Sequence, residues 1–216
     1  MMRLLATAVA AAALAGIPAY AQSPTNDVRS VIAKMTERNP ALNTFRAPLH
    51  VNVRMLNFPF LSPQLDGTSY FKRPNSYEVV FTKVPSYAKG FEKLFNDVGD
   101  PSAWVKDQNI TFDGVQQLNG RPMLVLTMTK KIHSTILDRT VAYIDPASYE
   151  LWEMDWHYTS GGVISMRQWY RSEGGFTVLS QQHAEINIPH VHAVADSSYG
   201  TYQTNVAVDD AVFTKK

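Results

Sequence analysis

Hydrophobic residues recur along this chain with two distinct periods. Val28, Val31, Ile32 and Met35 follow a capping triplet, Thr25-Asn26-Asp27, and share one stripe of a helix that Asn39-Pro40 ends, so a helix of about three turns is predicted. From Phe45 the period drops to two. Leu49, Val51, Val53 and Met55 alternate with His50, Asn52 and Arg54, as in a strand with one buried face. Further strands are predicted near 68–73, 76–84, 108–116, 121–130, 139–145, 149–159, 163–172, 176–186, 190–195 and 199–206. Turn chemistry separates them at Asp66-Gly67, Asp113-Gly114, Asn119-Gly120, Asp145-Pro146, Ser160-Gly161-Gly162 and Glu173-Gly174-Gly175. Turns this closely spaced join antiparallel neighbours, and no segment alternates strand with helix as a parallel sheet does. The chain reads as mainly β with a few helices, built on one large, curled antiparallel sheet.

One helical stretch interrupts the strands. Between Pro85 and Pro101, Ser86 can cap a helix whose Tyr87, Phe91, Leu94, Phe95 and Val98 form a single stripe. Such a helix either closes one mouth of a barrel or gates a ligand. A second feature is bulk: Trp152, Met154, Trp156 and Tyr158 share one face of a strand, and Glu153, Asp155 and His157 share the other. Met166 and Tyr170 in the next run extend the bulky face, as do Phe176 with Val178 and Met123 with Val125 or Leu124 with Leu126. With eight Met, ten Phe, ten Tyr and four Trp, this interior either packs solid or encloses a groove for an apolar ligand.

Composition narrows the partners. The 216 residues are 45% hydrophobic, and 20 Lys+Arg stand against 19 Asp+Glu, scattered along the chain, so neither disorder nor a nucleic-acid partner is expected. Met1-Met2-Arg3, the apolar run from Leu4 to Ile17 and the small-x-small Ala19-Tyr20-Ala21 form a Sec-type signal peptide pattern. Cleavage after Ala21 would remove 1–21 and leave 22–216 as a single soluble domain in the periplasm. The chain has no Cys, so neither lipid attachment through a lipobox nor a disulfide is available, and stability must come from burial.

Catalytic patterns do not assemble. His190 and His192 would share one face of a strand, with His183 in the strand before, but no companion carboxylate joins these weak metal candidates. Glu153 and Asp155 read as a solvated face. No G-x-S-x-G elbow, nucleotide-binding glycine loop or Cys nucleophile is present, so neither an enzyme nor a cofactor is expected.

Four segments carry a resemblance. These are Gly67-Thr68-Ser69-Tyr70-Phe71-Lys72-Arg73-Pro74-Asn75 with Tyr77, then Gln117-Leu118-Asn119-Gly120-Arg121-Pro122 running into Leu124-Val125-Leu126. The others are Tyr143-Ile144-Asp145-Pro146 leading to Leu151-Trp152-Glu153-Met154, and Tyr199 through Asn205 with Asp209-Asp210-Ala211-Val212-Phe213. In order and spacing they resemble the periplasmic outer-membrane lipoprotein carrier and lipoprotein-sorting family (LolA-like), which is related to RseB/MucB-like regulators. The resemblance implies an unclosed, strongly curved antiparallel half-barrel, covered by an N-terminal helix and a lid helix, whose hydrophobic cavity receives acyl chains. It implies Arg73 as a latch on the lid and Tyr77 as an aromatic near the cavity mouth. The implied partners are lipid or lipoprotein acyl chains and inner- or outer-membrane lipoprotein-transport proteins. An envelope sensor gripping a membrane-protein partner on its concave sheet is the alternative. The expected lipid contacts are Phe91, Leu94, Phe95, Trp152, Met154, Trp156, Tyr158, Met166 and Tyr170.

Overall fold

The computed structural model describes residues 27–74, 76–85, 95 and 98–214. Helix α1 spans Val28–Glu37, and the Asp27 carboxylate accepts from the Ser30 N–H at 2.7 Å, satisfying an amide that the first turn leaves open. Val31, Ile32 and Met35 are its buried stripe, as the spacing predicts.

The strands are β1 (Thr44–Met55), β2 (Gln64–Lys72), β3 (Ser76–Phe81), β4 (Gln108–Leu118), β5 (Arg121–Lys130) and β6 (Leu137–Ile144). They continue with β7 (Leu151–Tyr158), β8 (Val163–Glu173), β9 (Phe176–Ile188), β10 (Val191–Tyr199) and the short β11 (Gln203–Thr204). Among the described residues there are two further short helices, α2 (Pro101–Asp107) and α3 (Ala211–Thr214). The sheet order is β3-β2-β1-β10-β9-β8-β7-β6-β5-β4, with β11 on β1. Every pairing is antiparallel, and β3 and β4 stand at opposite edges, so the sheet curls into a half-barrel without closing. Inward side chains of the curl and the buried stripe of α1 share one core with Trp104 of α2. The fold class read from the sequence is the one observed.

Four local expectations need correction. Asp66-Gly67 is not a turn but lies inside β2, where Gly67 pairs with Leu49 on one side and Phe81 on the other. A Cβ there would approach the Val80 carbonyl oxygen to 2.8 Å, so the glycine answers a close strand approach. Asp113-Gly114 is a bulge within β4: the register slips between Phe112 and Val115, and Gly114 takes φ +85°. The strand expected over 199–206 shrinks to Gln203–Thr204, and β10 instead runs on to Tyr199. Pro101 opens a helix, α2, that the sequence reading placed outside any element; Asp100 caps it by accepting from Ser102 N–H at 3.0 Å. Of the stripe expected between Pro85 and Pro101, Phe95 and Val98 are buried in the core, and Tyr87, Phe91 and Leu94 lie outside the described residues.

Candidate ligand-binding site

The interior of the half-barrel divides into a filled half and a hollow half, and side-chain size decides which is which. Under β5 to β8, Leu124, Leu126, Met128, Met154, Trp156 and Ile164 leave almost no exposed surface, as expected of close packing. On β9 and β10, three inward positions are alanine instead, Ala184, Ala193 and Ala195. Ala184 pairs with Ala195, and Ala195 and Ala193 face Val53 and Met55 of β1. These short side chains leave an apolar cavity of about 250 Å³. Its wall is completed by Leu65, Phe81, Phe95 and Met166, and its rim by Phe58, Leu61 and His190 from the β1–β2 and β9–β10 connections. Those two connections are tied together, since Asn57 Nδ2 donates to the His190 carbonyl at 2.9 Å and Leu56 N–H to that of His192 at 2.7 Å. Leu56, Phe58 and Phe60 beside the rim are exposed, Phe60 by 82%.

A second cavity of about 140 Å³ lies near the opposite end of β1, under the connection from α1. It shares no lining residue with the first. Arg73 borders it, and its guanidinium donates to the carbonyls of Leu42 at 2.6 Å and Asn39 at 2.5 Å. This arginine therefore fastens the segment that follows α1. A chain of polar side chains leads from one cavity wall to the other. Gln182 Nε2 donates to Met166 Sδ at 3.2 Å, Tyr199 OH donates to Gln182 Oε1 at 2.9 Å, the Tyr199 and Tyr77 hydroxyls are hydrogen-bonded to each other, and Ser69 Oγ donates to the hydroxyl of Tyr77 at 3.0 Å. Burial raises the hydroxyls of Tyr77, Tyr199 and Tyr202 above the ordinary tyrosine value and that of Tyr170 to about 12, so all four stay protonated hydrogen-bond partners at any physiological pH.

The residues singled out from the sequence are distributed unevenly over this arrangement. Phe95 and Met166 line the apolar cavity; Arg73, Tyr77 and Tyr170 line the other. Met154 and Trp156 belong to the filled half, and Tyr158 packs against it, so none of the three borders either cavity. Trp152 does not share their face. The β6–β7 register slips between Tyr143/Glu153 and Ile144/Leu151, and this extra residue turns Leu151 inward and leaves Trp152 under the Arg121 guanidinium, 4.3 Å from its ring centroid. Phe91 and Leu94 lie outside the described residues. No motif marks the alanines that create the void; three Ala at inward positions of two neighbouring strands is the available signal.

The histidines do not converge. His190 occupies the β9–β10 turn with φ +68°, and only His192 belongs to the strand, so the expected shared face does not exist. The His183 ring is hydrogen-bonded to Asp196 at 2.7 Å on the outer face. Among the described residues no group of three or more His, Cys, Asp or Glu side chains could hold a metal ion. Glu153 and Asp155 are not a solvated face either. Cross-strand Arg167 holds Glu153 at 2.9 Å and leaves it only 8% exposed, and burial pushes the half-buried Asp155 carboxyl up.

Asp100 shows the same effect more fully. Its carboxyl is 6% exposed, and burial raises it above the usual 3.8 despite the bonds from Ser102. A carboxyl with a raised folded value binds more protons in the native state, so its contribution to stability is lost as pH rises from about 4 through that value. Asp100→Asn keeps an oxygen for the α2 cap and cannot ionise. Its stability relative to the parent is expected to be greater at pH 7 than at pH 4 in urea unfolding; equal differences at both would reject this account.

An unclosed antiparallel half-barrel with a helix in its concavity and an apolar hollow against its central strands is a LolA-like fold. Among solved structures, the chain is similar to a LolA superfamily protein of Nitrosomonas europaea, with a TM-score of 0.65 at 12% identity over 88% of this chain and 98% of that one. It is similar to a DUF1329 family protein of Desulfovibrio piger with a TM-score of 0.61, also at 12% identity, over 88% and 98%. No protein-family model and no curated protein matches the sequence. Among the described residues no helix is long and apolar enough to cross a membrane.

Proposed function

We propose that this protein is a periplasmic carrier that shelters a lipid or lipoprotein acyl chain in the apolar cavity, a binding role and not a catalytic one. The carrying observation is the void at Ala184, Ala193 and Ala195, walled by apolar side chains and rimmed by a loop with exposed Phe58 and Phe60. Transfer of hydrocarbon from water into such a space is favourable by ~0.8 kcal/mol for each buried methylene, so about six methylenes contribute ~5 kcal/mol. The signal peptide pattern of 1–21 supports the compartment, and the LolA-like fold supports the class of cargo.

Arg73 fits the latch role that the resemblance implies, because its two bonds fasten the segment behind α1. Removing a guanidinium from two carbonyls costs about 1.5–3 kcal/mol for a charged hydrogen-bonding group. Delipidated protein should bind a fluorescent fatty acid saturably, and Arg73→Leu should melt lower and release the probe faster. Absence of saturable binding by the parent protein would remove the carrier reading. The second reading, an envelope module that docks a membrane-protein partner, is favoured by the exposed Leu56, Phe58 and Phe60. It predicts one stoichiometric protein and no lipid when the protein is taken gently from the envelope and weighed by native mass spectrometry.

A further inference from the structure

The smaller cavity has a different chemistry from the acyl hollow. Three side-chain atoms on its lining residues are buried and have no hydrogen-bond partner: Gln168 Nε2, Asp100 Oδ2 and Arg38 Nε. Gln168 is 1% exposed and Asp100 6%, so both groups are fully withdrawn from bulk water. Leaving a buried polar atom unpaired is unfavourable, and three bordering one space indicate that something polar completes them.

Their neighbours hold these groups in place. Gln168 Oε1 accepts from Tyr170 OH at 2.7 Å, which aims the amide nitrogen away from that bond, and Tyr170 OH is itself 3.1 Å from the Leu151 carbonyl. Arg38 lies over the Tyr170 ring, its guanidinium carbon 4.6 Å from the centroid. Asp100 Oδ1 is taken up by the N–H and hydroxyl of Ser102, leaving Oδ2 as the open acceptor. Arg73 commits its Nε and one terminal nitrogen to backbone carbonyls at the cavity wall.

The charge pattern selects the ligand class. An anion on the two donors would meet the Asp100 carboxyl, and a cation on that carboxyl would meet the Arg38 guanidinium. A hydroxyl both donates and accepts, so adjacent hydroxyls can satisfy the carboxyl and the two nitrogens together. Phe45, Phe71 and Tyr202 supply ring surface for carbon-bound hydrogens. A space of about 140 Å³ suits a group of about four to six non-hydrogen atoms. We propose that this cavity binds a small neutral polyol, either a free molecule or the hydroxyl-bearing headgroup of a lipid. This site is independent of the acyl hollow, whose lining is entirely different.

The test uses the whole purified protein with three probes: glycerol, 1-monolauroylglycerol, and methyl laurate as the matched chain without hydroxyls. Affinity is followed by saturation-transfer NMR, and location by the Gln168 side-chain amide signal of ¹⁵N-labelled protein. A saturable shift of that signal by glycerol supports a free polyol; a shift by monolauroylglycerol but not glycerol or methyl laurate supports a headgroup. Asp100→Asn, which replaces the open acceptor with a donor, and Gln168→Met, which keeps the volume, should each weaken that binding at least tenfold. Fluorescent fatty acid binding should change less than twofold in both, so failure of the acyl reading and of this one are separable. Asp100→Asn alone decides the matter if Gln168→Met does not fold. No saturable shift with either hydroxylated probe, an equal shift with methyl laurate, or undiminished affinity in the variants overturns the proposal.

Discussion

Ala184→Phe should lower the affinity for a fluorescent fatty acid by about a hundredfold while leaving the protein folded. Ala184 sits on β9 between Met166 of β8 and Ala195 of β10, with its side chain on the wall of the 250 Å³ cavity. A phenyl group introduced there has empty space to enter, so it need not force neighbouring side chains off their rotamers as it would in the packed half. What it displaces is ligand. Excluding about four methylenes at ~0.8 kcal/mol each forfeits ~3 kcal/mol, which corresponds to roughly two powers of ten in the dissociation constant. The melting temperature should hold or rise, because the ring fills a void. Unchanged probe affinity in a folded Ala184→Phe protein would place the acyl chain elsewhere, whatever the parent protein binds.

The two tryptophans of β7 should separate sharply on replacement by Ala. Trp156 is 1% exposed in the filled half, so Trp156→Ala should destabilise by about 3–5 kcal/mol, the range for emptying an aromatic from a core. For a domain of this size that amounts to a fall of roughly 6–20 °C in melting temperature. Trp152 is only half-buried and has its ring under Arg121. Trp152→Ala forfeits that contact and partial burial, about 1 kcal/mol, and should move the melting temperature by a few degrees. Calorimetry on the two variants decides the point: comparable losses would mean that the β7 bulge does not turn Trp152 outward.

That contrast also marks where the sequence was readable. The alternation of Leu49 to Met55, the helical stripe from Val28 to Met35 and the Asn119-Gly120 turn are local patterns, and each states its own geometry. Asn119 and Gly120 both take positive φ and join β4 to β5, as a two-residue hairpin requires. Together with the antiparallel rule for short connections they yield a large, curled antiparallel sheet, and the resemblance to the LolA-like family adds that it stays an unclosed half-barrel. A strict period of two cannot show a bulge, however, and one extra residue at Leu151-Trp152 is enough to reverse a face. Gly67 misled for a related reason: Asp-Gly is a turn signal when the chain must reverse, yet here the glycine serves the neighbouring strand.

The cavity was misplaced because bulky aromatics draw attention, whereas empty space belongs to the residues that are absent from it. Met154 and Trp156 fill the core, and the void appears beside alanines whose smallness matters only once β9 and β10 are paired in register. Arg73, Tyr77 and Tyr170 were legible as residues of interest, yet their common surroundings depend on contacts between segments far apart in the chain. Gln168 and Asp100 carried no signal at all, since an unpaired amide or carboxyl is defined by what surrounds it.

The strand order has a temporal meaning as well. Strand β1 lies in the interior of the sheet, and its partner on one side is β10, so that Leu49 waits for Tyr199. During synthesis, β1 and β2 emerge long before the strand that completes them. An early hairpin with an open, hydrophobic flank is the sort of surface that pairs with the wrong neighbour. Such late completion of the sheet predicts slow folding, and places the nascent chain among those that gain most from a holding chaperone until the last strand arrives.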